Sequence, residues 1–131
     1  MRMVVLHVDY IRWEPKKKAL RTASDAKSGE AENAIVAFVG IEEGDENKVE
    51  KAIAELKHIA DQIKVYKLVL YPFVHLTNTP AKPSVALDVL RSMAKKAAEV
   101  FDEVKVAPFG YYKAFEMKVK GHPLAEWGRI I

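Results

Sequence analysis

Short apolar runs alternate along this chain with two longer stretches whose apolar residues recur every three or four positions. Met3-Val4-Val5-Leu6-His7-Val8 is β-branched and apolar, which predicts a buried first strand. Ile11 and Trp13 then alternate with Arg12 and Glu14, the period of a half-buried strand. Pro15 and Lys16-Lys17-Lys18 read as an exposed edge guarded by proline and charge, with a phosphate-binding patch as the alternative. Residues 22–33 are polar and read as a loop. Residues 34–41 form a continuous apolar run, the pattern of a strand covered on both faces, and Gly40 near its end marks a close backbone approach.

An acidic turn follows at residues 42–46. From about Glu46 to Ile63, Val49, Ala52, Ile53, Leu56, Ile59, Ala60 and Ile63 make one apolar stripe, and the acids at its start suit the positive end of a helix dipole. Residues 65–71 predict a further buried strand and residues 77–83 a proline-rich loop. Ser84 is the expected N-cap of a second helix, which turns Ala86, Leu87, Leu90, Met93, Ala94, Ala97, Val100 and Phe101 inward. Residues 104–106 and 114–119 predict two more strands, and Gly121-His122-Pro123 turns the chain into a short last element at Leu124–Trp127. The order β-β-β-α-β-α-β-β predicts an α/β fold: a mixed β-sheet with two main helices on one face. Hairpins are expected at the first and last strand pairs.

Composition narrows the class. The chain has 131 residues, which fits one domain over 1–131. It lacks cysteine, so disulfides, a thiol nucleophile and a Cys-based zinc site are excluded, and a cytoplasmic location is the expectation. Abundant Lys and Glu lean towards a thermophilic source. A net charge of +3 permits an acidic partner such as RNA without demanding one. No apolar run approaches the ~20 residues of a membrane span, and the N-terminus lacks a signal-peptide layout. The chain ends Arg129-Ile130-Ile131, which still reads as ordered sequence, so a domain excised from a longer protein is expected.

The familiar phosphate-loop, dinucleotide and nucleophile-elbow motifs are missing. His7, His58, His75 and His122 lie on different elements without ligand spacing, so no metal and no cofactor is expected. What remains is a set of polar residues at strand ends. Ala107-Pro108-Phe109-Gly110-Tyr111-Tyr112-Lys113 places a glycine, two tyrosines and a lysine between two strands. Glycine lets backbone come close, tyrosine offers a flat face with a hydroxyl tip, and lysine offers three donors. His75 follows the strand ending at Tyr71, and Glu126 follows the Gly-His-Pro turn. Singly, Tyr112 reads as core, Lys113 as solvent-exposed and Glu126 as a helix-start charge. Together they can form a pocket that holds an ester, with Lys113 as donor and Glu126 as its orienting partner. The sequence alone does not establish that they meet.

Several ordered segments carry a family likeness: Val4-Val5-Leu6-His7-Val8-Asp9-Tyr10, Tyr71-Pro72-Phe73-Val74-His75-Leu76, Ala81-Lys82-Pro83-Ser84-Val85-Ala86, residues 107–115, and Gly121-His122-Pro123-Leu124-Ala125-Glu126. Together they resemble the N-terminal editing domain of archaeal threonyl-tRNA synthetases. The resemblance implies a D-aminoacyl-tRNA deacylase-like, homodimeric fold with a pocket near the dimer interface. It implies hydrolysis of serine wrongly attached to threonine tRNA. The implied partners are the serine-bearing 3′ end of that tRNA, a second copy and the rest of the synthetase, with neither membrane nor DNA. The family's functional positions fall on His75, Tyr112, Lys113 and Glu126. Val39, Gly40, Ile41, Pro72, Phe73, Val74 and Gly110 would bind the substrate, largely through backbone; Val74 stands where alanine is expected. A free-standing D-aminoacyl-tRNA deacylase and a non-catalytic tRNA-binding or dimerisation module are the alternatives.

Overall fold

A computed structural model describes residues 1–131. Arg2–Lys18 forms one 17-residue strand, β1, where the sequence pattern predicts two. The change of period that splits it in sequence has a local cause. Val8 and Ile11, three residues apart, face the same apolar cluster, and so do Ala31 and Ala34 on the neighbouring strand. The break in alternation falls at Asp9 and at Asn33, which adopts a left-handed φ of 47°. Pairing with the strand on the other side of β1 also shifts register between Val8 and Tyr10, the mark of a bulge.

The second strand, β2 (Gly29–Gly40), begins earlier than the polar pattern predicts, so the loop shrinks to residues 19–28. Its first half pairs with β1 but alternates exposed Glu30 and Glu32 with Ala31, whose small side chain gives little apolar signal. The remaining strands are β3 (Lys67–Pro72), β4 (Glu103–Val106), β5 (Tyr111–Val119) and β6 (Glu126–Ile130). The sheet order is β4-β3-β2-β1-β5, with β6 pairing along β1 beyond the end of β5. β2, β3 and β4 run parallel, and β1 is antiparallel to β2, β5 and β6. The sheet is mixed, as predicted. The expected last hairpin does not form: β4 lies at one edge beside β3, and β5 lies beside β1. Residues 107–110 therefore carry the chain across the sheet.

The two helices, α1 (Val49–Ile63) and α2 (Pro83–Ala97), pack on one face over a 21-residue core that includes Met3, Val5, Ile35, Ala37, Leu56, Leu70, Leu90 and Met93. Deleting a side chain such as Leu56 would cost about 2–5 kcal/mol. α1 starts at Val49, behind a 3₁₀ turn at Asp45–Asn47. α2 starts at Pro83 with Lys82 as N-cap residue, so Ser84 sits inside the first turn and makes no capping bond. The helix stops at Ala97, leaving Val100 exposed beyond it, while Phe101 still reaches the core. The opposite face carries a second cluster with Val8, Ile11, Trp13, Val36, Phe38, Val69 and Tyr71. Apolar cover on both faces explains the unbroken run 34–41.

Two polar clasps fasten this frame. The buried Met1 ammonium donates to Glu42 Oε1 at 2.9 Å and Asp45 Oδ1 at 3.0 Å. Glu42 Oε2 accepts in turn from Thr77 Oγ1 at 2.6 Å and Thr79 Oγ1 at 3.2 Å. Midway along β1, His7 and His122 meet at 2.7 Å, Nδ1 to Nε2. The Leu124 N–H donates to His122 Nδ1, so His122 donates through Nε2 to His7 Nδ1, and His7 donates through Nε2 to Asn33 Oδ1 at 3.1 Å. This chain of directed bonds holds the turn between β5 and β6 against β1 and β2.

Candidate functional site

The parallel strands β2, β3 and β4 end on the same side, and the crossing segment 107–110 passes there. Ligands in α/β sheets bind at such carboxyl ends. Here they enclose a cavity of about 420 Å³. Val39 and Ile41 come from the end of β2, Tyr71 to Val74 from the end of β3, and Phe109 to Lys113 from the crossing and the start of β5. Ala81, Pro83, Ala86 and Leu90 close it from the helix side. A broader depression over Arg12, Trp13 and Glu116 is a wide-open surface whose arginine is already paired with Glu30 and Glu116.

Lys113 is the charged centre of the cavity. It is half-buried, and its Nζ donates to the carbonyl oxygens of Pro108 at 2.8 Å and Tyr111 at 3.2 Å. The Nζ also stands 5.0 Å from the centre of the Tyr71 ring. No carboxylate touches it. Burial pushes its pKa down, because removing water penalises the ammonium. Two carbonyls and an aromatic face hold the cation, and one of its three N–H donors is left for the cavity. Burial also pushes the Tyr71 phenol up to about 12, so this residue stays neutral. Phe38, Tyr71, Phe73 and Phe115 stack around one another with ring centres 4.9–5.9 Å apart, giving the wall a fixed aromatic surface.

The structure brings together most of the residues expected from sequence. His75 and Tyr112 stand at the mouth, both exposed, with Tyr112 63% accessible; Tyr112 is thus not the core residue its isolated reading suggests. His75 packs edge-on against Phe73 at 5.5 Å. Val39, Ile41, Pro72, Phe73, Val74 and Gly110 all line the cavity. Gly40 does not. It backs the wall: a Cβ there would lie 3.0 Å from Leu76 Cβ and 3.4 Å from the Phe73 carbonyl oxygen, the close approach that its place in the strand predicts.

Glu126 is elsewhere. It pairs with Leu6 on β1, whereas Lys113 pairs with Pro15, nine residues further along the same strand. That separation is about 30 Å along an extended chain. Glu126 therefore does not orient Lys113 within one chain, and backbone carbonyls take that part. Tyr71, Phe109, Phe115 and Leu20 also line the cavity, beyond the site positions expected from sequence. Tyr71 and Phe115 do carry a sequence signal, since aromatic residues bracket both candidate segments. Leu20 reaches the site only through the β1–β5 pairing, which no local pattern encodes.

Two solved structures share this architecture from end to end. One is titled "c-Myc DNA Unwinding Element Binding Protein", with a TM-score of 0.74, 12% identity, and coverage of 100% of this chain and 99% of that one. The other is titled "Structural Analysis of a probable eukaryotic D-amino acid tRNA deacylase", with a TM-score of 0.55, 7% identity and 98% of each chain covered. The fold is thus D-aminoacyl-tRNA deacylase-like. Sequence carries the assignment further. Residues 1–131 match the archaea-specific editing domain of threonyl-tRNA synthetase, and the chain belongs to that family. Threonine–tRNA ligases of Thermococcus kodakarensis and Pyrococcus furiosus are each 45% identical over 139 aligned residues, and that of Nitrosopumilus maritimus is 40% identical over 135. All of this chain is covered in each case, but only 21–22% of the ligase, so it spans about a fifth of these curated relatives.

Proposed function

We propose that this domain hydrolyses the ester of serine wrongly attached to the 3′ end of threonine tRNA. The observation that carries the reading is Lys113: a half-buried cation without a carboxylate partner, facing an apolar cavity at the strand ends. Such a group is placed to meet negative charge that develops in the cavity. In ester hydrolysis that charge appears on the carbonyl oxygen as water adds to the carbonyl carbon. The carbon–oxygen bond to the ribose then breaks, the ribose oxygen takes the proton, and serine and uncharged tRNA leave.

Lys113 stabilises the oxyanion or holds the ribose. The terminal 2′-hydroxyl positions or activates the water. His75 and Tyr112, at the mouth, receive the terminal adenosine on their faces. Serine lacks one methyl of threonine, and a binding pocket distinguishes a methyl by only ~1–3 kcal/mol, about 10–200-fold. A second pocket that admits serine and excludes threonine supplies the missing discrimination. A protein of this kind acts in the cytoplasm, as part of the whole synthetase.

Glu126 enters on the same reading through a second copy. Its side chain is exposed, about 30 Å along β1 from the lysine of its own chain, and the resemblance implies a homodimer with the pocket near the interface. The experiment is deacylation of Ser-tRNA(Thr), Thr-tRNA(Thr) and D-aminoacyl-tRNA. Selective loss of serine is expected. Preference for D-substrates would point to a free-standing deacylase, and binding without turnover would reduce the domain to a tRNA-binding module. Lys113→Met should slow hydrolysis about 10²–10³-fold with unchanged unfolding. Mixing Lys113→Met with Glu126→Gln should restore part of the activity. No recovery in mixtures would remove Glu126 from the site.

A further inference from the structure

We infer that the lysine-rich end of β1 forms, with Arg21, the track that carries the phosphates of a single RNA strand leaving the cavity. Resting on the function proposed above, the inference adds where the rest of the nucleic acid lies. In sequence, Lys16-Lys17-Lys18 is equally an edge guard. Its placement favours the second use.

Lys17 pairs with Tyr112 and Lys18 with Tyr111, and both tyrosines line the cavity. The next two residues, Ala19 and Leu20, line it as well. Their backbone N–H groups both donate to the Gly110 carbonyl oxygen, at 2.7 and 3.1 Å. Gly110 can offer that carbonyl because its φ of +78° is open to glycine, and a Cβ there would press within 3.0 Å of Ala23 Cβ. The basic run is thus tied to the cavity rim rather than to a free loop.

Its charges are unspent. Most other basic side chains on the sheet have acidic partners: Arg12 with Glu30 and Glu116, Lys105 with Glu103, Lys118 and Lys120 with Asp9, and Arg129 with Glu55. Lys16 reaches Glu14. Lys17, Lys18 and Arg21 are exposed and have no carboxylate within ion-pair distance. Directly across from Lys17, Tyr112 offers an exposed ring, 63% accessible, on which a base can stack. Free cations that follow a backbone, interleaved with an aromatic platform, are what single-stranded nucleic acid needs. Contacts to phosphates carry no sequence information, so such a track is indifferent to sequence.

The test uses the double variant Lys17→Gln/Lys18→Gln and a charge-matched control, Lys51→Gln/Lys95→Gln, on the helical face. Binding of a CCA-ended RNA oligonucleotide is measured against salt concentration. Two lost single-strand phosphate contacts should flatten the slope of log K against log[salt] by about 1.4, with the control unchanged. In turnover, kcat/KM for Ser-tRNA(Thr) should fall about tenfold at low salt while the rate at saturation holds. A seryl ester of adenosine, which has no phosphate, should be hydrolysed equally by wild type and variant. An unchanged slope, or an equal loss in the control, overturns the track and leaves the lysines as edge protection. If wild type hydrolyses neither substrate, the editing reading fails, and the oligonucleotide measurement still decides the track.

Discussion

Glu42 lies outside the cavity and holds the loop that follows its Phe73–His75 wall. It accepts from Thr77, from Thr79 and from the Met1 ammonium, and so ties the segment bearing Phe73, Val74 and His75 to the start of the chain. These donors, Thr77 foremost, hold its carboxyl at about 2, against an ordinary value of 4.5. Glu42→Gln keeps the shape and removes the charge. The gap between the two pKa values corresponds to about 3 kcal/mol at full strength. Glu42 is partly open to solvent, so screening reduces the expected loss to about 1–2 kcal/mol. For a domain of this size each kcal/mol shifts Tm by about 3–5 °C, so a fall of roughly 3–10 °C is expected near neutral pH. The sign with pH follows from the lowered pKa. The contribution is complete above about 4.5 and disappears as pH falls towards 2, when the carboxyl in the folded chain takes up its proton. Thermal or urea unfolding of wild type and variant, from pH 7 to pH 2.5, reads the difference directly. The two should converge at the acid end. A difference that stays constant across that range refutes the electrostatic account. On the proposed function, the loosened wall should raise KM more than it lowers kcat.

Two further outcomes follow from single sites. Burial pushes the His7 imidazole below its ordinary value of 6.5, against the opposing pull of Asn33, with His122 and Lys120 adding repulsion and Asp9 attraction. The unfolded chain therefore takes up this proton first, and stability should decline as pH drops through about 6.5 towards the folded value; NMR titration with His7→Gln checks it, and a His7 resonance titrating above 6.5 contradicts it. Gly40→Ala forces a methyl against Leu76 Cβ and the Phe73 carbonyl, so about 1–3 kcal/mol of stability should be lost, read by denaturant unfolding; an undiminished midpoint would mean that this segment yields freely.

Much of the fold is legible in sequence because its signals are local. The stripe from Val49 to Ile63 and the run from Ala34 to Ile41 specify a helix and a two-faced strand without reference to the rest of the chain. The failures sit where pairing overrides pattern. β1 reads as two strands because paired irregularities at Asp9 and Asn33 reverse which side chains face inward, and β4 and β5 read as a hairpin because sequence proximity hides the crossing of the sheet. The candidate site divides in the same way. His75, Tyr112, Lys113 and Gly110 belong to short segments whose residue types suggest a pocket. That Glu126 stands at the other end of β1 depends on strand register, which becomes visible only when β5 and β6 are laid along one partner.

The crossing at residues 107–110 is also what makes a selective pocket physically reasonable. A hairpin between β4 and β5 would leave the carboxyl ends of β2 and β3 open to solvent. The observed path covers them, and it brings Lys113 over Tyr71 on the opposite side from Ala81 and Leu90. The walls near Val39 and Ile41 belong to strands packed on both faces, which resist displacement as close-packed interiors do. Forcing one extra methyl into such a space costs about 1–3 kcal/mol. On the proposed function that is the whole margin separating threonine from serine, and a mobile loop at the same place would surrender it. Enlarging the wall with Ala81→Gly should therefore raise hydrolysis of Thr-tRNA(Thr) relative to Ser-tRNA(Thr), while Ser92→Ala, at an exposed position of α2, should leave the ratio unchanged. Equal ratios in wild type and Ala81→Gly would show that something other than this wall excludes threonine.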